Sequence, residues 1–490
     1  MSQEVRNLEP KALWNHFADL NAVPRPSKKE ERVIQFMVDF GNRLGLPTEV
    51  DHIGNVFIRK PATSGMEDRT PIVMQSHLDM VHQKNNDTNF DFDSEGIKMF
   101  VEGDWVKADG TTLGADNGIG VATIMALLAS DDIPHPAIDA LFTIDEETGM
   151  TGALELKGGM LNGKILLNLD TEDDDELTIG CAGGIDITAS GTYEEEDTDS
   201  GMSGYKLTVK GLSGGHSGMD INKGLGNANK LMNRILWRSH EKYGVRVANI
   251  KGGGLRNAIP RESQAWLAVP DASDDHFASY VKEMTAILKD EHGTTDPDLT
   301  VVLEKTDLPG KVMQEEFQDR LFNAIYSCPN GIYRMSPDIE DLVQTSNNLA
   351  RVAIADGEVE VQCLTRSSSD TEKEDLQNAI DACFSQVGLT VLFSGSYPGW
   401  QPRPSSDIVS LMADLYRERF NEEPNVLACH AGLECGILGT NYPDMDMVSF
   451  GPNIRGAHSP DEKVQISSVQ KYWGYLLATL ERIPVMETVA

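Results

Sequence analysis

Basic charge is scarce in this chain. Its 490 residues carry 42 Lys and Arg against 77 Asp and Glu, a formal net charge of −35. Nucleic acid and anionic membranes both need a basic face, so neither is an expected partner. Long apolar runs are missing as well, and none reaches the length of a membrane span. The first residues, Met1-Ser2-Gln3-Glu4-Val5-Arg6, have neither the basic region nor the apolar stretch of a signal peptide, and nothing argues for export. Cysteine is sparse: Cys181, Cys328, Cys363, Cys383, Cys429 and Cys435 are scattered, with no Cys-x-x-Cys pair. In a chain of this length they read as reduced and mostly structural, which points to the cytoplasm.

What the chain has in excess is acid. Two readings are open, a solubilising surface or a site that holds cations. Few carboxylates can share one metal centre, so most must be surface, and the runs Asp173-Asp174-Asp175-Glu176 and Glu194-Glu195-Glu196-Asp197 read as solvated. The length is too great for one ordinary core, and two or more domains are expected. Hydrophobic content of 40% and charged content of 24% suit a soluble globular protein.

One acidic stretch stands apart. Ala140-Leu141-Phe142-Thr143-Ile144 reads as a buried strand and runs into Asp145-Glu146-Glu147 and a Thr148-Gly149 turn. Like charges at the end of a buried strand repel unless a proton or a cation lies between them. Alone, such a triplet is ordinarily a solvated turn. Its neighbours change the balance. Ile72-Val73-Met74-Gln75-Ser76 is a strand that enters His77-Leu78-Asp79, and His77 and Asp79 would face the same way on it. Ile165-Leu166-Leu167-Asn168-Leu169 ends in Asp170. Three apolar strands thus terminate in metal-competent residues. Strands alternating with helices predict a mostly parallel sheet, whose ligand site lies at the carboxyl ends of the strands. In Thr112-Leu113-Gly114-Ala115-Asp116-Asn117-Gly118-Ile119-Gly120, Asp116 precedes a helix over 121–129 and reads either as its N-cap or as part of the site. A phosphate loop lacks its lysine there.

Elsewhere, amphipathic helices are predicted over 10–20 and, opened by a capping box at Ser27-Lys28-Lys29-Glu30, as far as Gly45. After Gly183-Gly184 the texture changes. Strands and helices continue with few candidate ligands, in two successive α+β sets that resemble a duplication. The expected division is a first domain over 1–186 and 401–490 and an inserted domain over 187–400. The closing part carries a helix over 408–420, a helix opened at His430, a strand over 445–450, the loop with His458, and a helix over 469–480. His430 and Glu434 would share a helix face at i, i+4 spacing, in a structural or pocket role. His82 and His135 read as surface or capping residues.

His77, Asp116, Glu147, Asp170 and His458 make two histidines and three carboxylates, donors that suit zinc and also manganese or cobalt. Five ligands are too many for one catalytic tetrahedral metal with an open position. They fit two metals if one carboxylate bridges, and two metals about 3.5 Å apart can share a water and lower its pKa. That water needs a base not spent on metal, and the adjacent Glu146 and Glu147 can divide the two jobs.

Ser76-His77-Leu78-Asp79-Met80, Gly114-Ala115-Asp116-Asn117-Gly118, Asp145-Glu146-Glu147-Thr148-Gly149, Leu169-Asp170 and Gly456-Ala457-His458-Ser459-Pro460 resemble, in order and spacing, the motifs of the di-zinc peptidases related to aminoacylase and glutamate carboxypeptidase. The likeness runs essentially end to end. It includes Gly183-Gly184-Ile185-Asp186, Gly214-Gly215-His216-Ser217-Gly218, Arg256-Asn257-Ala258-Ile259-Pro260-Arg261-Glu262 and Tyr397-Pro398-Gly399-Trp400-Gln401-Pro402. It narrows to the bacterial members that cleave Xaa-His dipeptides such as carnosine. The resemblance implies an α/β fold, a catalytic domain with a mostly parallel central sheet flanked by helices plus an inserted α+β lid, and a cleft between them. It implies two Zn2+ per subunit, with Co2+ or Mn2+ as substitutes, small dipeptide substrates and a homodimer. By the same likeness Asp116 bridges, His77 and Asp170 complete one site, and Glu147 and His458 complete the other. Asp79 orients His77, and Glu146 is the general base that later returns the proton to the leaving amine. The Asp116-Asn117 peptide is expected to be cis. His216 would stabilise the oxyanion, from its own or a partner subunit, and Asn257 and Arg366 would hold the substrate carboxylate, although Arg366, just before Ser367-Ser368-Ser369-Asp370, also reads as a plain solvent-exposed arginine. An N-acyl amino acid amidohydrolase is the alternative enzyme. A metal-binding scaffold is the alternative class, and it predicts loss of the base, whereas Glu146 is present.

Overall fold

Apolar runs that end in polar residues become strands that end at a common edge. In the computed structural model, which describes residues 3–486, Ile72–His77 and Ile165–Asn168 are buried at every position, as in a sheet covered on both faces. Ile72–His77 lies parallel to Ile138–Thr143 on one side, with His77 opposite Thr143, and parallel to Ile165–Asn168 on the other. Asp446–Ser449 then runs parallel to Ile165–Asn168, with Ser449 opposite Asn168. These four strands therefore release the chain at one edge, toward Asp79, Asp145-Glu146-Glu147, Asp170 and the His458 loop. The outer strands Thr48–Val50, Val56–Lys60 and Glu176–Cys181 are antiparallel, and with Asn425–Cys429 beside Glu176–Cys181 at the far edge the sheet is mixed, of eight strands among the described residues. The helix Ala115–Ala129 is apolar on nearly all sides and buried almost throughout, which marks it as a core element. At Gly120 an added Cβ would lie 2.3 Å from Ser76 Oγ and 2.9 Å from Leu169 O, so only glycine lets the helix rest on the strands.

The chain divides into two compact units, one of residues 1–180, 402–428 and 433–490, the other of 181–401 and 429–432. The expected ends at residues 1–2 and 487–490 lie outside the described residues. In the second unit both α+β sets share one sheet of nine strands. Arg246–Gly253 pairs antiparallel with Val343–Ala355 and joins the two halves. The helices Ala228–Tyr243, Asp274–His292, Glu315–Ser327 and Asp370–Ser385 bury apolar residues, among them Leu236, Phe277, Phe322 and Phe384, in its core.

Four local expectations are corrected. Ser27 forms no capping box: its hydroxyl donates to Asp79 Oδ2 at 2.8 Å, and the helix begins at Glu31. The helix expected from His430 begins at Glu434 after an extended Leu433, so His430 and Glu434 do not share a helix face and fall in different units. The run 173–176 is half-buried rather than solvated, because Asp173 pairs with Arg455, Asp174 with Lys471 at 2.7 Å, and Asp175 accepts from Asn425 at 3.0 Å. His135 is fully buried, its Nδ1 2.7 Å from Pro136 O, whereas His82 is exposed as expected.

Candidate metal centre and active site

The five donors picked from the sequence converge in the first unit. Asp116 lies between the two imidazoles, its Oδ1 3.2 Å from His77 Nε2 and its Oδ2 3.2 Å from His458 Nε2. Asp170 Oδ1 is 3.5 Å from His77 Nε2, and Glu147 Oε2 is 3.0 Å from His458 Nε2. Four groups of ligand-capable atoms lie within 4.8 Å of one another among the described residues. Two of them, His77–Asp116–Asp170 and Asp116–Glu147–His458, together hold the five donors and share Asp116; a third is His77–Glu146–Glu147, and the fourth is Glu30–Asp79–Asp145. The Asp116-Asn117 peptide is cis. Asp116 is extended, with φ −80° and ψ 110°, and its two carboxylate oxygens face the imidazoles rather than the N–H groups of the helix that follows. Asn117 instead turns its amide to Asp170 Oδ1 and Leu169 O, both at 2.6 Å.

Electrostatics tests whether a cation pair suits this donor set. Burial alone would push the His77 imidazole down, but Asp170, Asp116 and Asp79 overcome it and hold it well above its ordinary value. Hydrogen bonds to Asp116 and Glu147 push His458 up to about 11. Burial would raise Asp116, yet the two imidazoles hold it low. Burial raises Glu146, Glu147 and Asp170, helped by neighbouring carboxylates. Four carboxyls crowd two imidazoles, and Glu147 Oε1 is buried without a hydrogen-bond partner. Nitrogen and oxygen donors in two groups with one shared carboxylate fit a pair of divalent ions of the zinc, cobalt or manganese kind.

The turn after Thr143 is held by partners the sequence did not signal. Asp79 accepts the N–H of Glu146 at 3.0 Å and of Glu147 at 3.3 Å, while its Oδ1 lies 3.3 Å from His77 Nδ1. One carboxylate therefore fixes a histidine and both glutamates. Asp145 sits at φ +54°, buried, paired with Lys28 at 2.5 Å and bonded to the hydroxyls of Thr148 and Thr151. Beneath the strand ends, Glu434 accepts from Gln75 and Thr143, each at 2.6 Å, and burial pushes its carboxyl up to about 7.

In the second unit Ser217, next to His216, links Asn257 and Arg366, the two residues expected to bind the substrate carboxylate. Its N–H donates to Asn257 O at 2.8 Å and its hydroxyl accepts from Arg366 Nε at 3.4 Å. His216 pairs with Ala258, next to Asn257, in a short antiparallel bridge. The His216 Nδ1 accepts the N–H of Gly218 at 3.2 Å and of Met219 at 3.1 Å, which leaves Nε2 as the protonated nitrogen of the neutral ring. Burial, then Arg366, lowers its pKa. Arg366 is not the exposed arginine that its serine-rich context allowed. It is 6% exposed, with Nη1 2.9 Å from Tyr397 OH.

The family model for peptidase family M20/M25/M40 matches residues 73–482. The cytosol non-specific dipeptidase of Escherichia coli is 43% identical over 481 residues, 98% of this chain and 99% of that protein. The aminoacylhistidine dipeptidase of Vibrio alginolyticus, at 43% identity and 99% coverage of both chains, has the same fold with a TM-score of 0.93. An aminopeptidase of Bacillus cereus shares the fold at 16% identity, with a TM-score of 0.56 over 97% of this chain and 99% of its own. With this match and this identity over nearly its whole length, the chain belongs to peptidase family M20/M25/M40.

Proposed function

We propose that the protein is a metal-dependent dipeptidase that hydrolyses unblocked dipeptides, with a preference for Xaa-His. The observation that carries this reading is Asp116, one carboxylate shared by two donor groups, with Glu146 beside them and outside both. The 43% identity to two dipeptidases supports the substrate class. His77, Asp116 and Asp170 would hold one Zn2+, and Asp116, Glu147 and His458 the other, with Co2+ or Mn2+ as substitutes. When bound, such ions polarise the scissile carbonyl and acidify water.

The protein's residues do the rest. Glu146 takes the proton of the attacking water and delivers it to the leaving amine nitrogen. Asp79 keeps that carboxyl in place through the Glu146 N–H and orients His77. His216 donates its Nε2–H to the oxyanion. Arg366 and Asn257 bind the substrate carboxylate, a task that suits a guanidinium fork already steadied by Tyr397 and Ser217. A cytoplasmic homodimer completes the proposal.

A panel of free dipeptides and acetyl-amino acids, run with and without chelator, tests this. Xaa-His dipeptides should be cleaved fastest, chelator should stop turnover, and Zn2+ or Co2+ should restore it. Hydrolysis of acetyl-amino acids but not of free dipeptides would overturn it. Asp79→Asn keeps the shape but loses one acceptor oxygen, and should lower metal affinity and turnover about 10- to 100-fold. Affinity equal to that of the parent would remove Asp79 from this role.

A further inference from the structure

The two histidines of the centre are held very differently. The His77 side chain is 1% exposed and faces Asp79. The His458 side chain is 55% exposed, at a backbone φ of +63°, and among the described residues its ring pairs only with Asp116 and Glu147. A half-exposed ring on a loop must be fixed through its backbone, or it loses affinity to rotamer and loop freedom. Four residues on, Glu462 is 2% exposed and reaches the turn that carries Asp116. Its Oε2 accepts the N–H of Leu113 at 2.7 Å and of Gly114 at 2.9 Å, and its Oε1 those of Ala115 at 2.7 Å and Asp116 at 3.2 Å. These four consecutive N–H groups belong to the turn that precedes the regular helix, which follows the non-helical Asp116 and Asn117, and one buried carboxylate satisfies all four. On the other side Arg25 donates to Gly114 O at 2.6 Å and to Leu78 O and Asp79 O at 3.0 and 3.1 Å. The link from Glu462 back to His458 is short and internally bonded, Glu462 N–H to Ser459 O at 3.0 Å and Ser459 N–H to Gly456 O at 3.2 Å.

We propose that Glu462 is a positioning residue for one metal site: it braces the His458 loop against the Asp116 backbone and so sets the affinity of the Asp116–Glu147–His458 group. The His77–Asp116–Asp170 group shares Asp116, but Arg25 holds that turn from the other side and Asp79 and Asn117 hold His77 and Asp170, so it depends on Glu462 less than the group that also needs the His458 loop. The inference rests on the two-metal reading.

Metal-free protein titrated with Co2+ against a competing chelator, followed by visible absorption, tests it. The parent should bind two equivalents. Glu462→Gln places an amide NH2 where backbone N–H groups point, and Glu462→Asp keeps the charge but falls short by a methylene. In both, one equivalent should bind as in the parent and the other about 10- to 100-fold more weakly, the loss typical of a ligand's supporting partner. Thermal unfolding of the metal-free variants checks folding. Parent-like binding of both equivalents, equal weakening of both, or failure of both variants to fold would each overturn the proposal. A parent that binds fewer than two equivalents would instead defeat the two-metal reading.

Discussion

Glu146→Gln is expected to retain both metal equivalents while dipeptide turnover falls about 10³- to 10⁴-fold, the upper range for loss of a general base. The substitution keeps the length and shape of the side chain, and it leaves the backbone N–H that anchors the turn to Asp79 untouched. Burial already holds the Glu146 carboxyl above its usual range, so a neutral amide suits the site. The adjacent glutamate is the necessary control. Glu147 Oε2 lies 3.0 Å from His458 Nε2, so Glu147→Gln should lose metal as well as activity. His77, Glu146 and Glu147 also form a candidate donor group, which gives the reverse assignment a definite signature: metal lost in Glu146→Gln and kept in Glu147→Gln. Metal content by elemental analysis, measured beside kcat on one dipeptide, separates the two. Full activity in Glu146→Gln would remove it from the reaction.

The donors were legible because each follows a local pattern. His77, Glu147 and Asp170 come just after apolar strands, and parallel pairing brings those strand ends to one edge. Asp116 and His458 lie in turns marked by glycine and proline. What could not be read is what holds them. Glu462 meets the Asp116 turn from 346 residues away, Ser27 meets Asp79 from 52, and Gln75 meets Glu434 from 359. Periodicity and capping patterns reach only a few residues, so Ser27 suggested a capping box when its hydroxyl had a tertiary partner. The same limit explains His430 and Glu434. An i, i+4 spacing brings side chains together only on a helix, and the extended Leu433 interrupts it. Charge content misled at 173–176, where basic partners from distant segments turn an acidic run into half-buried pairs. In the second unit several strands were recognisable from their apolar runs, but Gly183–Thr192 and Arg246–Gly253 were missed, and the joining of two sets into one sheet depends on which edges pair, which no local pattern encodes.

Asp116→Asn should weaken both metal equivalents at once, with turnover falling below detection. One residue can have this double effect because its two oxygens face different imidazoles, each at 3.2 Å. The amide retains a single acceptor oxygen, so it can serve one group at most, and its NH2 turns a donor toward the other. The backbone should not move, since Glu462 holds the Asp116 N–H and the adjacent turn, and the change is therefore one of ligand chemistry. Removing a direct ligand should exceed the roughly 10- to 100-fold loss typical of an outer partner, so at least about 100-fold is expected for each equivalent, close to 3 kcal/mol at about 1.4 kcal/mol per tenfold. His458→Ala makes the contrast: it belongs to one group only and should cost one equivalent while sparing the other. Competition titration of both variants against a chelator reads the difference. If Asp116→Asn loses a single equivalent and keeps the other at parental affinity, Asp116 serves one ion, and the shared-carboxylate arrangement on which the proposed chemistry depends is wrong.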